Sequence, residues 1–174
     1  MARAALQSRK RIGEGPVPGA RFVPAATVVV AILLSALPIV VQNGWFPDVG
    51  FLTLIAWRLR RADVWPAWWA APLGLINDLV TGSPVGLSVV VWTLAMLILD
   101  FADERTIWRD YWIEWTLAAL LILMDLAAEW QVAAWMGAKL PFITAAPNVL
   151  ISGASFPLLA WFVAAVDRWR FSRA

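Results

Sequence analysis

The sequence predicts an all-α integral membrane protein that crosses the bilayer with six transmembrane helices and keeps both termini in the cytoplasm. Three observations predict this fold class. Hydrophobic residues make up 61% of the chain and charged residues only 15%, against about 25% charged in an average soluble domain. The apolar residues fall into six runs. All but one of the 14 Lys and Arg residues lie in alternate connecting segments.

The composition also excludes several classes of protein. A soluble domain of 174 residues with a mean hydropathy of +0.72 would have to expose large apolar patches, which cause aggregation. The chain contains no Cys and no His, which excludes disulfides, thiol nucleophiles, histidine bases and zinc sites of the usual type. We therefore expect no enzymatic activity, no cofactor and no bound metal.

Each apolar run is assigned to one helix. A bilayer core about 30 Å thick needs about 20 helical residues, and backbone groups in lipid must be satisfied within the segment, which favours helices. The runs are residues 22–41, 46–57, 64–80, 85–99, 112–136 and 147–166.

The basic residues set the orientation of these spans. With the N-terminus in the cytoplasm, Lys139 alone lies outside, as the positive-inside rule requires. The run 46–57 is short enough to form a re-entrant loop instead. That arrangement would place Arg58, Arg60 and Arg61 outside, so we favour a second span.

We divide the chain into three parts. Residues 1–21 are expected to form a flexible basic cytoplasmic tail, residues 22–167 the six-helix transmembrane domain, and residues 168–174 a basic cytoplasmic tail. A signal peptide is the alternative for the N-terminus, but residues 37–41 contain no small-residue cleavage site. The basic residues set topology and touch anionic lipid headgroups, so no nucleic-acid partner is expected.

The 13 Trp residues follow the same plan. Most lie near a predicted membrane boundary, where amphipathic rings anchor at headgroup depth. The inner group includes Trp57 and Trp65, and the outer group includes Trp130 and Trp135. Trp92 is expected to lie deeper.

Three acidic residues lie within or close to spans, namely Asp78, Asp125 and Glu129. Residues 100–110 are predicted to form a solvated inner loop, with a docking surface for a cytoplasmic partner as the alternative. A charged side chain at the centre of a transmembrane helix costs about 2.5–3.5 kcal/mol on insertion scales, so each of the three needs an explanation. No Lys or Arg falls at comparable depth, which excludes an intramembrane protease with a lysine base.

Asp125 and Glu129 are four residues apart and share one face of the fifth helix. Glu129 is shallow enough to reach water at the outer surface or Lys139, and Asp125 is expected to face the bundle. A proton relay or a cation-binding pocket would use the same two residues, and both alternatives stay open.

Asp78 lies in a predicted hairpin between the third and fourth spans. Gly74 shares its helix face and allows a neighbouring backbone to approach closely. Gly82 can take the positive φ that ends a helix, Ser83 is a plausible N-cap, and Pro84 suits the first helical position. The Asp78 carboxylate then reaches the N–H groups that begin the fourth helix. A structural contact of this kind and direct contact with a partner are both open.

This segment resembles a known family signature. Gly74, Asp78, Gly82, Pro84 and Gly86, with Leu79 and Leu87, match the G-x-x-x-D-(L)…G-x-P-x-G-(L) pattern of the rod shape-determining protein MreD family. The length, the six apolar runs, the basic N-terminus and the arginine cluster before the signature are also similar.

The resemblance implies a multi-pass subunit of the bacterial inner membrane that belongs to the cell-elongation machinery. It implies an association with a bitopic MreC-type protein and, through it, with an MreB-type filament and the synthases of lateral-wall peptidoglycan. It also implies a bundle similar to the substrate-binding S-components of vitamin transporters.

Three functions are therefore weighed. The first is a non-catalytic scaffold of the elongation machinery, for which the small residues 152–155 on the sixth helix would suit close helix packing, within the bundle or with a partner. The second is a small-solute or vitamin-binding transport subunit, with Asp125, Glu129 and nearby tryptophans lining an outward pocket. The third, an enzyme acting on a lipid-linked precursor, is disfavoured because the acids lie on different helices.

Overall fold

The computed structural model describes residues 22–35, 46–61, 65–105, 111–138 and 141–172. All regular secondary structure in these ranges is helical, which confirms the predicted all-α class for this part of the chain. It comprises six α-helices: α1 Val23–Ser35, α2 Val49–Arg60, α3 Ala70–Thr81, α4 Leu87–Arg105, α5 Tyr111–Trp135 and α6 Ala146–Ser172. Short 3-10 turns, Ala67–Trp69 and Phe142–Ala145, precede α3 and α6.

Two helices in the described ranges are long and apolar enough to cross a membrane, Trp112–Trp135 and Phe142–Trp169. Only 28% and 22% of their most apolar windows are buried inside the protein, whereas the core helix of a soluble protein would be mostly buried. Large apolar side chains such as Leu79, Val85 and Leu158 are likewise exposed. These surfaces indicate a helical protein that associates with a membrane.

Helix α2 lies at the centre of the bundle. Every residue from Gly50 to Leu59 is buried, and α1, α4, α5 and α6 pack around the helix. Its 12 residues rise about 18 Å, less than the hydrocarbon core of a bilayer. The run 46–57 is helical from Val49, and α2 alone is shorter than that core, so a second span at this point would also need residues beyond the helix itself.

The C-terminal end of α2 is held by ion pairs that each have one buried partner, and we call this the arginine end of the bundle. Arg58 is only 4% exposed, and it donates to Asp100 and, at 2.6 Å, to an Oδ of Asp103. The prediction that residues 100–110 form a solvated loop is wrong for the described part, because α4 continues to Arg105. Asp100 and Asp103 are three residues apart on one helix face, which directs both carboxylates at one guanidinium.

A second set of ion pairs joins α2 to α6 at the same end. Asp167 is buried, and its Oδ2 accepts from Nε of Arg61 at 3.0 Å and lies 3.4 Å from Nε of Arg60. Helix α6 continues past the predicted domain boundary at residue 167 and ends at Ser172. The basic residues before α3 thus bind neighbouring helices in addition to any role in topology.

Two tryptophans predicted to anchor at the inner boundary are core residues instead. Trp57 is fully buried and Trp65 is 5% exposed. The indole N–H of Trp57 donates to the Thr27 hydroxyl at 2.8 Å, so the polar edge of the ring needs no headgroup partner. Trp92 is fully buried, as predicted, and stacks on Phe51 at a centroid distance of 5.9 Å.

Candidate functional site

The signature residues lie on α3 (Gly74 and Asp78) and in the turn between α3 and α4 (Gly82, Pro84 and Gly86), and we call this the hairpin end of the bundle. Helix α3 ends at Gly82, which has a φ of 73°, the left-handed conformation that glycine adopts without strain. A second left-handed glycine, Gly86, has a φ of 101°. Between them, the N–H of Leu87 donates to the carbonyl of Pro84 at 3.0 Å and closes a turn.

The prediction for Gly82 is confirmed, but the predicted start of the fourth helix is wrong. With Ser83 as the N-cap and Pro84 as the first helical residue, the helix would include Gly86. The positive φ of Gly86 is incompatible with a right-handed helix, so α4 begins at Leu87. The first backbone bond of the helix runs from the N–H of Val90 to the carbonyl of Gly86 at 3.0 Å.

Asp78 supplies the cap of α4 from the neighbouring helix. Its Oδ2 accepts from the N–H of Gly86 at 2.7 Å and its Oδ1 from the N–H of Ser88 at 2.9 Å. Asp78 is only 1% exposed, and the N-terminus of α4 favours a carboxylate at this position. This is the contact that the sequence predicts between Asp78 and the start of the fourth helix.

Gly74 permits the close approach that this contact requires. A Cβ built on Gly74 would lie 2.7 Å from the carbonyl carbon and oxygen of Ser88 and 2.8 Å from the N of Val89. These are backbone atoms, which cannot move aside as a flexible side chain would. The backbone of α4 therefore rests directly on Gly74, one helical turn from Asp78.

A polar cavity of about 220 Å³ lies beside the hairpin, near the C-terminal ends of α3 and α5 and the N-terminal ends of α2 and α6. We call it the acid-lined cavity. Among the described residues, its lining contains three carboxylates and no Lys or Arg. The polar side chains used in the argument are Asp48, Asn77, Asp125, Glu129, Asn148 and Ser152.

Asp48 belongs to this cavity although the sequence reasoning missed it. It is the N-cap of α2, where one Oδ accepts from the N–H of Phe51 at 3.0 Å, and its other Oδ accepts from Nδ2 of Asn77 at 2.9 Å. Asp48 thus joins α2 to α3. The sequence carries a signal for it, because an aspartate directly before an apolar run is typical of an N-cap.

Asn77 is 3% exposed and is only partly satisfied. Its Nδ2 donates to Asp48 and, at 3.1 Å, to the hydroxyl of Ser88. These two acceptors fix the orientation of the amide and leave Oδ1 as a buried acceptor without a partner among the described residues. A buried acceptor of this kind calls for a donor that the described chain does not supply.

Asp125 faces the bundle interior, as predicted, and is 7% exposed. No described residue donates a hydrogen bond to it or forms an ion pair with it. Glu129 lies one turn further along α5, lines the same cavity and is exposed. The predicted partner Lys139 lies outside the described residues. Neither Trp130 nor Trp135 is part of the described lining, whose aromatic residues are Phe46 and Phe51, and Trp45 lies outside the described residues.

The carboxylates of the cavity are not arranged as a metal centre. Within the described ranges, no group of three or more Asp, Glu, His or Cys side chains is placed to hold a metal ion. Asn148 and Ser152 complete the wall on α6, where the Ser152 hydroxyl donates to the Asn148 side-chain oxygen at 2.9 Å. The described lining therefore offers acceptors spread over four helices and not a single cluster of ligands.

The small residues 152–155 do not pack a neighbouring helix at Gly153. A Cβ built there would meet no described heavy atom within 4 Å. Close packing through Gly153 is thus not observed among the described residues, whereas the neighbouring Ser152 is buried within the bundle.

Comparisons of the chain with protein-family models, with curated proteins and with solved structures found no match. Any assignment of function therefore rests on the residues and geometry of the hairpin and of the acid-lined cavity.

Proposed function

We propose that this protein is a non-catalytic scaffold subunit of the bacterial cell-elongation machinery, located as a multi-pass protein in the inner membrane. It binds a bitopic MreC-type partner and, through that partner, an MreB-type filament and the synthases of the lateral wall. The observation that carries the proposal is the assembly of the signature residues into a single hairpin contact.

Each signature position meets a separate physical requirement of that hairpin. Gly74 allows the backbone of α4 to approach, Asp78 caps its first N–H groups, and Gly82 and Gly86 adopt a positive φ. The carbonyl of Pro84 closes the turn. The match to the family pattern therefore covers one cooperative structural unit, which supports the resemblance more strongly than five scattered identities would.

The surface of the hairpin is suited to a partner. Leu79 is 66% exposed and Val85 71% exposed, while the buried Asp78 contact holds the backbone beneath them. A rigid apolar surface binds a partner with little loss of conformational entropy. This supports a binding role for the hairpin, in place of a catalytic one.

The six-span arrangement with cytoplasmic termini is part of the proposal. The charge distribution supports it, because the basic residues lie in alternate segments of the sequence. The structure adds that Arg58, Arg60 and Arg61 lie at one end of α2, while Asp48 and the hairpin lie at the other. The arginine end would face the cytoplasm and the hairpin end the outer surface.

The proposal is tested by depleting the protein in the rod-shaped bacterium that encodes it. Cells are expected to widen and round, and a plasmid copy of the wild-type chain should restore the rod. A second plasmid copy with Gly153→Ala serves to test whether the open glycine on α6 is needed. Unchanged rod shape after verified depletion would contradict a role in elongation.

A second candidate is a small-solute or vitamin-binding transport subunit, and the acid-lined cavity is the observation that favours it. Convergent polar groups in a concave site are typical of ligand pockets. Co-purification of an energising ATPase with the chain would support this second function, and recovery of a bitopic protein without an ATPase would support the scaffold.

A further inference from the structure

We propose that the acid-lined cavity is a binding site for a primary ammonium group carried on a short hydrocarbon stem. The inference names the ligand chemistry of a site that the second candidate function would also use, but it requires no transport. A bound amine is equally compatible with a scaffold, whose conformation it would stabilise.

A buried side-chain acceptor at the cavity has no described hydrogen-bond donor. Asn77 is only 3% exposed, and its Oδ1 has no hydrogen-bond partner among the described residues. Asp125 lines the same cavity and is 7% exposed. An unsatisfied buried acceptor costs about 1–3 kcal/mol and a buried carboxylate more, so both side chains favour a ligand that donates hydrogen bonds.

The described side chains of the cavity carry acidic groups without a basic partner among them. Asp48, Asp125 and Glu129 line the cavity together, and none of the described residues of its lining is a Lys or an Arg. Asp48 is satisfied by a backbone N–H and by Asn77, which are neutral donors. Carboxylates gathered at a partly buried site without a cation repel each other. A ligand that carries positive charge would relieve this repulsion.

The volume of the cavity suits a small organic group. A water molecule occupies about 30 Å³ of liquid, so a cavity of about 220 Å³ holds an organic group of several heavy atoms. The described acids do not form a group able to hold a metal ion. Phe46, Phe51 and Leu126 add apolar lining next to the acids, which would contact a hydrocarbon stem.

A primary ammonium fits this lining better than a quaternary one. It has three N–H donors, enough to reach Asn77 Oδ1, Asp125 and one further acceptor. A quaternary ammonium has none and is bound by the faces of several aromatic rings, whereas the described lining of this cavity contains two aromatic residues, Phe46 and Phe51.

The same chemistry occurs in a free amine and in the headgroup of an ethanolamine phospholipid. The full-length protein is therefore purified in detergent and also reconstituted in nanodiscs, in which phosphatidylcholine is either kept alone or partly replaced by phosphatidylethanolamine. Thermal unfolding is followed with increasing ethylammonium chloride, with equal concentrations of tetramethylammonium chloride and sodium chloride as controls.

Saturable stabilisation by ethylammonium beyond both control salts is the expected result for a free amine. Stabilisation by phosphatidylethanolamine that removes the ethylammonium effect would identify the lipid headgroup as the source. The inference is overturned if neither probe stabilises the protein, or if tetramethylammonium or sodium is as effective as ethylammonium.

Two matched variants link the effect to the cavity. Glu129→Gln, at the exposed rim, should weaken the binding of ethylammonium at least about tenfold, since it removes one charge-assisted contact. Glu114→Gln makes the same change on the same helix away from the cavity and should leave binding unchanged. Equal affinities of the two variants would contradict the site. Asp125→Asn extends the test if the variant folds.

The experiment is separable from the scaffold proposal. It measures ligand binding by the purified protein and makes no use of cell shape. Failure of amine binding leaves the scaffold role untouched, and an unchanged rod shape on depletion leaves the cavity inference untouched.

Discussion

The backbone N–H of Ser88 on α4 donates a hydrogen bond of 2.9 Å to Oδ1 of Asp78 on α3. On the same face, Gly74 leaves so little space that a Cβ there would lie 2.7 Å from the Ser88 carbonyl. Attraction and close contact thus act on one residue of α4 from two positions of α3. The geometry of the hairpin end depends on this relationship.

Asp78→Asn should destabilise the protein by about 1–3 kcal/mol. The carboxylate accepts two backbone hydrogen bonds, whereas an amide must direct its NH₂ group at one of the two N–H donors and so leaves that donor unpaired. Thermal unfolding of the purified protein measures the change. Ser83→Ala is the control, because the Ser83 hydroxyl shares an exposed hydrogen bond with the Thr81 hydroxyl, and its effect should be smaller. Equal stability of Asp78→Asn and the wild type would show that the charge is dispensable.

Gly74→Ala should destabilise the protein by about 1–3 kcal/mol, because the added methyl group overlaps backbone atoms of α4. Gly153→Ala is a matched control within a helix. Its Cβ meets no described atom within 4 Å, so it should be neutral or should stabilise the helix by up to about 1 kcal/mol. Both are measured by thermal unfolding in the same detergent. The account fails if Gly153→Ala is the more harmful of the two.

Arg58→Met should lower the free energy of unfolding by about 2–3 kcal/mol. This is at or below the low end of what breaking a buried ion pair costs. The carboxylates of Asp100 and Asp103 would lose their partner, but their side chains are 39% and 23% exposed and regain some hydration. Arg60→Met removes a cation that is 40% exposed and leaves Asp167 paired with Arg61. It should cost less than about 1 kcal/mol. Similar losses in the two variants, in an unfolding titration, would argue against the importance of burial at Arg58.

The proposed topology is testable by labelling, because the natural chain has no cysteine. Val85→Cys at the hairpin end should react with a membrane-impermeant maleimide in intact spheroplasts. Trp68→Cys and Trp169→Cys, both exposed positions at the opposite end, should react only after permeabilisation. Labelling of Trp68→Cys from outside would indicate that the segment containing α2 re-enters instead of crossing.

The sequence was sufficient for the helical class and for the hairpin contact. Glycine and aspartate spaced four residues apart have a local geometric meaning, and so does a glycine that follows the last helical turn. This locality is why the contact of Asp78 with the next helix was predictable. The start of α4 was not, because the left-handed φ of Gly86 depends on how the turn closes against Asp78.

The remaining errors came from contacts between segments far apart in the chain. Arg58 was assigned to topology alone, since its burial depends on α4 carrying Asp100 and Asp103 to the same place. The acid-lined cavity needed Asp48 and Asn77 from α2 and α3 to meet Asp125 from α5. The spacing of residues along the sequence indicates which residues share a helix face. It does not indicate which helix faces pack against each other in the bundle.

The most direct test of the scaffold proposal is co-purification from native membranes. An affinity-tagged copy is expressed at its natural level, solubilised in a mild detergent and captured, and the bound proteins are identified by mass spectrometry. The account predicts enrichment of a bitopic MreC-type cell-shape protein over a capture from untagged cells. Recovery of a transporter ATPase without any bitopic cell-shape protein would contradict it.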